Sequence, residues 1–346
     1  MQIDFNAIVE DAWQDYDPSR AVLSINDISA MVSTNHVFRL RLEDGSVVIA
    51  KLSYFGTYDD FVEDHSLINA LANNLPAPYD QFLSGSLLKK NQLFTYRHQE
   101  LLLDAWVVFY NPIRVDKKLP RRLDEHEIEV LGGELAHFHK TCWQLRNILP
   151  DWSKTLKGDM LRLLWHLDSD EGRFQHRGTE DEIRRQIDIF DANMEALDAY
   201  AWEAIPVFVD WNIGNFSVTE KAKFFSRWDY DWFRMSSRML DFYFFSRVCS
   251  TAGDKTVFSY LIDPVFEDRF AIFLKAYHAV YPLSRDEVLF LKEAYRFFIL
   301  NYVVKYGRYF FHEIYADKLQ REAFEIYFPL LDETFKPEKI LKVLDL

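Results

Sequence analysis

The hydrophobic pattern of this chain changes period at Pro112, and that single change limits the fold more than any other feature. Upstream of it, short apolar runs alternate with polar residues. Residues 22–32, 36–43 and 46–53 read as strands, and Glu43-Asp44-Gly45 supplies a tight hairpin between the last two. Thr57 is placed to cap a helix reaching about Asn74, with Phe61, Leu67, Ile68 and Leu71 as its apolar residues and Pro76 just beyond its end. Two further strands are expected around 82–97 and 101–110, and a short amphipathic helix over 3–16 precedes them all. Downstream of Pro112 the period is helical, apart from a β-rich patch near 206–229. A helix over 125–143 presents Ile128, Leu131, Leu135 and Phe138 on one face. This order predicts an α+β chain in two lobes, a β-rich lobe with one main helix over 1–111 and a large, mostly helical lobe over 112–346.

With 346 residues, 49% of them apolar, the chain can fill two cores. Its net charge of −14 disfavours nucleic acid or an anionic membrane as a partner and suits a cationic small molecule. Cys142 and Cys249 have neither metal-ligand spacing nor the density of a disulfide framework, so a reducing compartment is expected. Residues 1–6 show no basic and apolar leader pattern, and no apolar run reaches the roughly 18 residues of a membrane span. The expected location is the cytoplasm. His137 and His139 lie two apart on a helix and point to different faces, which fits packing or surface roles better than a metal pair. No HExxH, GxSxG or P-loop pattern occurs.

The segment Phe208-Val-Asp-Trp-Asn-Ile-Gly-Asn-Phe216 carries the most chemistry. Asp210 and Asn215 stand five positions apart, Gly214 lets the loop turn, and Asp229 and Asp231 follow in Trp228-Asp-Tyr-Asp. Phosphoryl transfer from a nucleotide needs a carboxylate to orient the attacking hydroxyl and oxygen ligands for magnesium, and Asp210, Asn215 and Asp229 offer both. Asp-x-x-x-x-Asn by itself also describes an ordinary capped turn, so the reading depends on the rest of the chain.

The segment resembles the His-Gly-Asp-x-x-x-Gly-Asn loop of the aminoglycoside phosphotransferase and choline kinase superfamily, which includes homoserine kinases, methylthioribose kinases and stress-response kinases. The resemblance implies a bilobal protein-kinase-like fold that uses ATP and Mg2+, with 1–111 as the nucleotide-binding lobe and the catalytic loop and substrate site in 112–346. By it Asp210 is the catalytic base, and Asn215 and Asp229 are magnesium ligands. Asp231 completes the family's Asp-x-Asp, Arg234 stands where relatives often carry Arg, and Asp241 buttresses the catalytic loop. Val47-Val-Ile-Ala-Lys51 resembles the strand whose Lys grips the α- and β-phosphates. The implied partner of Lys51 is Glu63, although adjacent Asp64 fits the helical phase equally well. Ser33-Thr-Asn35-His-Val-Phe38 resembles the phosphate-covering hairpin in its Asn-x-x-Phe form, and an adenine-contacting hinge falls at 109–112, including Tyr110. Leu131–His139 resembles the family's Leu-Ala-x-Leu-His helix.

The chain departs from the pattern at Phe208, where relatives carry a loop-bracing His, at Val209 in place of glycine, and at Asn212. The function so implied is ATP- and magnesium-dependent transfer to a hydroxyl of a small molecule, such as an amino alcohol, an aminoglycoside or a sugar-like compound. A protein Ser/Thr kinase is one alternative, and a catalytically weak pseudokinase serving as a nucleotide-binding or interaction module is another. Rings such as Trp228, Tyr230, Trp232 and Tyr302 could enclose a cationic acceptor, whereas Phe297, Leu300, Val303 and Val304 read as core. The acceptor and the oligomeric state stay open.

Overall fold

The computed structural model describes residues 3–29, 35–101, 103–254 and 259–346. They fall into two compact units. One comprises Met1–Arg114 with Ser226–Trp228 and Tyr309–His312, the other Val115–Phe225, Asp229–Arg308 and Glu313–Leu346.

The first unit opens with helix α1 (Phe5–Tyr16), followed by strands β1 (Val22–Asp27), β2 (His36–Leu42) and β3 (Val47–Ser53), and helix α2 (Tyr58–Asn74). A two-residue hairpin of β4 (Leu88–Lys89) and β5 (Gln92–Leu93) precedes β6 (Thr95–Glu100) and β7 (Leu103–Tyr110). The main sheet has the order β1-β2-β3-β7-β6, and all its pairs are antiparallel. Period-two alternation buries Phe38, Leu40 and Leu42 of β2 with Val48, Ala50 and Leu52 of β3, and α1 covers them with Trp13, whose ring meets Phe109 edge-on at 5.3 Å. Gly45 takes φ +82°, the left-handed backbone that the hairpin between β2 and β3 requires. The Thr57 side chain accepts a 3.1 Å hydrogen bond from Asp60 N and starts α2.

Two expected strands are shorter in the structure. β1 stops at Asp27, because the Asp27 carboxylate takes the Ser29 N–H at 2.8 Å and turns the chain out of the ladder. Residues 30–32 of the expected strand, and Ser33 and Thr34 of the hairpin, lie outside the described residues. The run over 82–97 is broken at Lys90 and Asn91, whose φ values of +54° and +65° form a two-residue reversal.

The second unit contains α3 (Glu125–Leu145), α4 (Leu156–Asp168), α5 (Asp170–Gln175), α6 (Glu180–Ala196), α7 (Phe242–Cys249), α8 (Asp268–Val280) and α9 (Arg285–Phe298). A wide π-type turn over Ile299–Lys305 extends α9. Between α6 and α7 lie β8 (Ile205–Val207), β9 (Phe216–Val218), β10 (Phe224–Arg227) and β11 (Arg234–Ser236), paired β8 with β11 and β9 with β10. Capping boxes fix the starts of α3, through Asp124 and Glu127, and of α9, through Ser284 and Glu287. At Gly132, α3 approaches α8 so closely that a β-carbon would lie 2.4 Å from the Phe273 carbonyl oxygen. Among the described residues, no helix is long and apolar enough to cross a membrane.

Candidate active site

β8 runs into the loop 208–215 and pairs with β11, so that Val207 lies opposite Arg234. This pairing sets the loop beside the segment that carries Asp229 and Asp231. The Phe208 ring continues the contact, 6.1 Å from the ring of Tyr230 and 5.2 Å from that of Phe233. Within the loop, Asp210 Oδ1 accepts from Asn212 N at 3.1 Å, and Asn215 Nδ2 reaches the Asp210 carbonyl at 3.5 Å. Committing the Asn215 amide nitrogen in this way leaves its oxygen as the group to meet a cation. Asp229 is exposed and takes φ +66°, with its own Oδ1 accepting from Asp231 N at 3.3 Å.

The backbone of the loop is strained one residue before Asp210. Val209 has φ +61°, a region that costs an L-residue about 1–2 kcal/mol and suits a β-branched one least. Asp241, fully buried, holds this geometry. Its Oδ1 accepts from Phe208 N at 3.0 Å and from Val209 N at 2.6 Å, and its Oδ2 meets His139 Nε2 at 3.0 Å. Burial lowers the His139 pKa against the opposing pull of Asp241, so the imidazole is neutral near pH 7. A second acid, Asp254, takes the Ile213 N–H at 2.9 Å further along the loop.

Arg247 on α7 stands within electrostatic reach of both Asp254 and Asp210. Burial disfavours its charge, but the oxygens of Tyr243 and Tyr260 and the carboxylates of Asp254 and Asp210 outweigh that cost and raise its pKa. The rings of Phe244 and Tyr260 flank its guanidinium at 5.3 and 5.2 Å. The sequence reading passed over His139, Arg247 and Asp254 as site residues. Two of them carried a signal. His139 continues the 131–135 stripe at helical spacing, and Arg247 is a lone cation in the apolar run 242–249. Asp254 had none, because only the folded loop brings it to Ile213.

Arg234 faces away from the loop. Its Nη2 donates to Asp159 at 2.8 Å, Nη1 reaches the Tyr302 hydroxyl at 3.5 Å, and the Phe297 ring lies 4.7 Å from the guanidinium. Asp159 also holds Arg162 at 2.9 Å and Lys305 at 3.6 Å. Tyr230, Trp232, Phe233 and Tyr302 are all buried, and Trp232 stacks on Tyr302 at 4.8 Å, so these rings belong to the core of this unit.

In the first unit, Lys51 projects from β3 and is 9% exposed, while Glu63 and Asp64 are both half-buried on α2. Asn35 is buried just ahead of β2. Tyr110 ends β7, paired with Ile49, and its hydroxyl is hydrogen-bonded to His65 Nδ1, which turns the phenol toward α2.

Among the described residues, no group of three or more His, Cys, Asp or Glu side chains is gathered as a metal cage. Magnesium needs no such cage. It commonly keeps waters and takes one or two carboxylates together with substrate phosphates, and a donor set of the Asp229 carboxylate and the Asn215 amide oxygen fits that habit.

No protein-family model matches the chain, and no curated protein matches it in sequence. Solved structures do match it. An amicoumacin kinase in complex with AMP-PNP and Ca2+ aligns at TM-score 0.65 and 13% identity, over 98% of this chain and 97% of that one. A microcompartment-associated aminopropanol kinase aligns at TM-score 0.60 and 15% identity, over 92% and 94%. A type I macrolide 2′-phosphotransferase aligns at TM-score 0.56 and 11% identity, over 93% and 97%. Identity this low speaks for fold alone, but the coverage runs nearly from end to end. The chain therefore shares the α+β fold of these small-molecule kinases and phosphotransferases.

Proposed function

We propose that this protein is an ATP- and magnesium-dependent phosphotransferase acting on a hydroxyl group of a small molecule. The observation that carries the reading is the construction of the 208–215 loop. A strained backbone at Val209, fixed by two hydrogen bonds to Asp241, delivers Asp210 and Asn215 beside the Asp229 segment, on a fold shared with kinases of small molecules.

In this reading Asp210 orients the acceptor hydroxyl and takes up its proton as the oxygen attacks the γ-phosphorus, while the bond from that phosphorus to the β,γ-bridging oxygen breaks and ADP leaves. Asn215 and Asp229 hold magnesium, with Asp231 completing the turn that presents Asp229. Magnesium, when bound, neutralises the charge of the phosphates. Arg247 and Asp254 fix the position and charge of the loop from behind. Lys51 grips the nucleotide phosphates and is oriented by Glu63 or Asp64 of α2. Asn35 contributes from the phosphate-covering hairpin, and the backbone at Tyr110 contributes to the adenine hinge. Arg234 supports the site at one remove by tying β11 to α4 through Asp159. The acidic balance of the chain, −14, supports an amine-bearing acceptor, so amino alcohols and aminoglycosides are the first to screen.

The test is a thermal-shift titration with ATP, with and without Mg2+, followed by turnover of the screened acceptors. A magnesium-dependent rise in Tm that disappears in Asp229→Ala is expected. Asp210→Asn is expected to keep that rise and to lose turnover by on the order of a hundredfold or more. Absence of any shift at saturating MgATP would overturn the reading and leave an interaction module. Equal loss of binding and turnover in both variants would overturn the separate roles of Asp210 and Asp229.

A further inference from the structure

Asp241 is the inner end of a longer chain of buried hydrogen bonds. His139 on α3 donates through Nε2 to Asp241 Oδ2 at 3.0 Å. Asp241 is the acceptor of this network, its other oxygen taking the Phe208 and Val209 N–H groups, so Nε2 carries the hydrogen and the neutral ring presents Nδ1 as an acceptor. The Tyr277 hydroxyl on α8 lies 2.8 Å from Nδ1 and donates to it. The same hydroxyl accepts from Arg238 Nη1 at 3.3 Å. Arg238 in turn is neutralised by Glu287 of α9 through a two-pronged pair at 2.6 and 2.8 Å, and it donates to the Pro282 carbonyl at 2.6 Å. From Arg238 to the N–H groups of Phe208 and Val209, every group meets a complementary partner, and the donors between Arg238 and Asp241 all point the same way. His139, Tyr277 and Asp241 are fully buried, and Arg238 is 8% exposed.

A core of these dimensions does not need such polarity, since apolar side chains of equal volume fill space at less desolvation cost. What the polar chain supplies is direction. Among the described residues, no hydrogen bond at Nδ1 other than that of the Tyr277 hydroxyl fixes the tautomer that gives Asp241 its Nε2 proton. Phe208, standing where a His would brace the loop, brings no side-chain hydrogen bond. The outer pair, Arg238 and Glu287, borders a cavity of about 270 Å³ lined also by Trp143, Trp202, Glu203 and Tyr281. Glu203 is held by Trp143 Nε1 at 2.7 Å and by Arg146 at 2.6 Å, and the cavity by itself names no ligand.

We propose that Glu287, Arg238, Tyr277 and His139 are positioning residues that act through Asp241 to hold the strained 208–209 backbone, and with it Asp210, in its working geometry. The catalytic half of this statement rests on the kinase reading given above; the structural half does not.

The test is hydrogen–deuterium exchange of the purified full chain, followed by mass spectrometry on peptides spanning 205–216, in Tyr277→Phe, His139→Leu and His139→Gln. Tyr277→Phe removes a single oxygen and keeps the ring, so it is the variant least at risk of misfolding. Exchange at 208–209 is expected to rise about tenfold in Tyr277→Phe and at least as much in His139→Leu, while β3 and β7 keep their protection. His139→Gln, whose amide can still donate to Asp241, is expected to fall between His139→Leu and the parent. In turnover assays the same variants lower kcat and leave the KM for ATP unchanged. Unchanged exchange at 208–209 in both Tyr277→Phe and His139→Leu overturns the proposal, as does a rise of equal size in β3 and β7. If exchange responds as expected but the parent protein transfers no phosphate to any acceptor, the positioning chain stands and the kinase reading fails.

Discussion

Phe208 stands where the loop that the 208–216 segment resembles carries a His, and its surroundings show why a ring without hydrogen bonds is at home there. It is 1% exposed, with the rings of Phe138, Trp211, Tyr230 and Phe233 between 5.2 and 6.1 Å away. An imidazole in this wall would be desolvated among apolar rings, and a buried polar group without a partner costs about 1–3 kcal/mol. Phe208→His is therefore expected to lower Tm, and differential scanning calorimetry reads the sign directly. Higher stability in that variant would show that a partner for the ring exists. The hydrogen bonds that hold the loop backbone here come from Asp241, which is itself held by His139.

At the scale of elements, adjacent glycines on α3 separate helix propensity from packing. Gly132 faces α8, and a methyl group there would lie 2.4 Å from a backbone oxygen, whereas Gly133 has open space within 4 Å. Alanine gains about 1 kcal/mol over glycine inside a helix, but overpacking costs about 1–3 kcal/mol and here a backbone must shift. Gly133→Ala is expected to raise stability by about 0.5–1 kcal/mol and Gly132→Ala to lower it by about 1–2 kcal/mol in denaturant unfolding. The same sign for both would contradict the close α3–α8 contact that carries His139 to Tyr277. Element identities were largely legible, because Thr57, Gly45 and the 3.6-residue stripe of α3 act locally. Strand lengths were less so. Asp27 and the Lys90-Asn91 reversal end strands through turn chemistry that the alternation pattern does not register.

For the molecule as a whole, the costly feature is the knot of charge in which Asp159 holds Arg162, Arg234 and Lys305 inside the second unit. Burial lowers the Lys305 pKa to about 8 despite the attraction of Asp159. The free value is 10.5, so the unfolded chain binds this proton across the window from about 8 to 10.5 and the folded chain does not. At this site stability accordingly rises with pH through that window, and below it the buried charge is a liability of about 3 kcal/mol. Lys305→Met, which leaves Asp159 paired with both arginines, is expected to be more stable than the parent at pH 7. The gap should narrow above pH 8 and close toward pH 10.5 in urea unfolding. A gap that does not change with pH would mean that Lys305 is not the group responsible.

Much of the fold was set by the sequence alone, since a period-two pattern up to Pro112 and a helical one beyond it admit few arrangements other than two lobes of different character. The order of Lys51, Asp210, Asn215, Asp229 and Asp241 likewise needed only the linear chain, because each occurs in a short segment with its own local spacing. Tertiary structure decided what no local pattern encodes. Val209 is held at positive φ by a carboxylate more than thirty residues away, His139 is joined to Asp241 and Tyr277 from three separate helical segments, and Arg234 is drawn to Asp159 instead of the loop. These contacts cross large sequence separations, and their geometry is fixed by burial, where an unpaired polar group costs more than the local preferences of any one segment can supply.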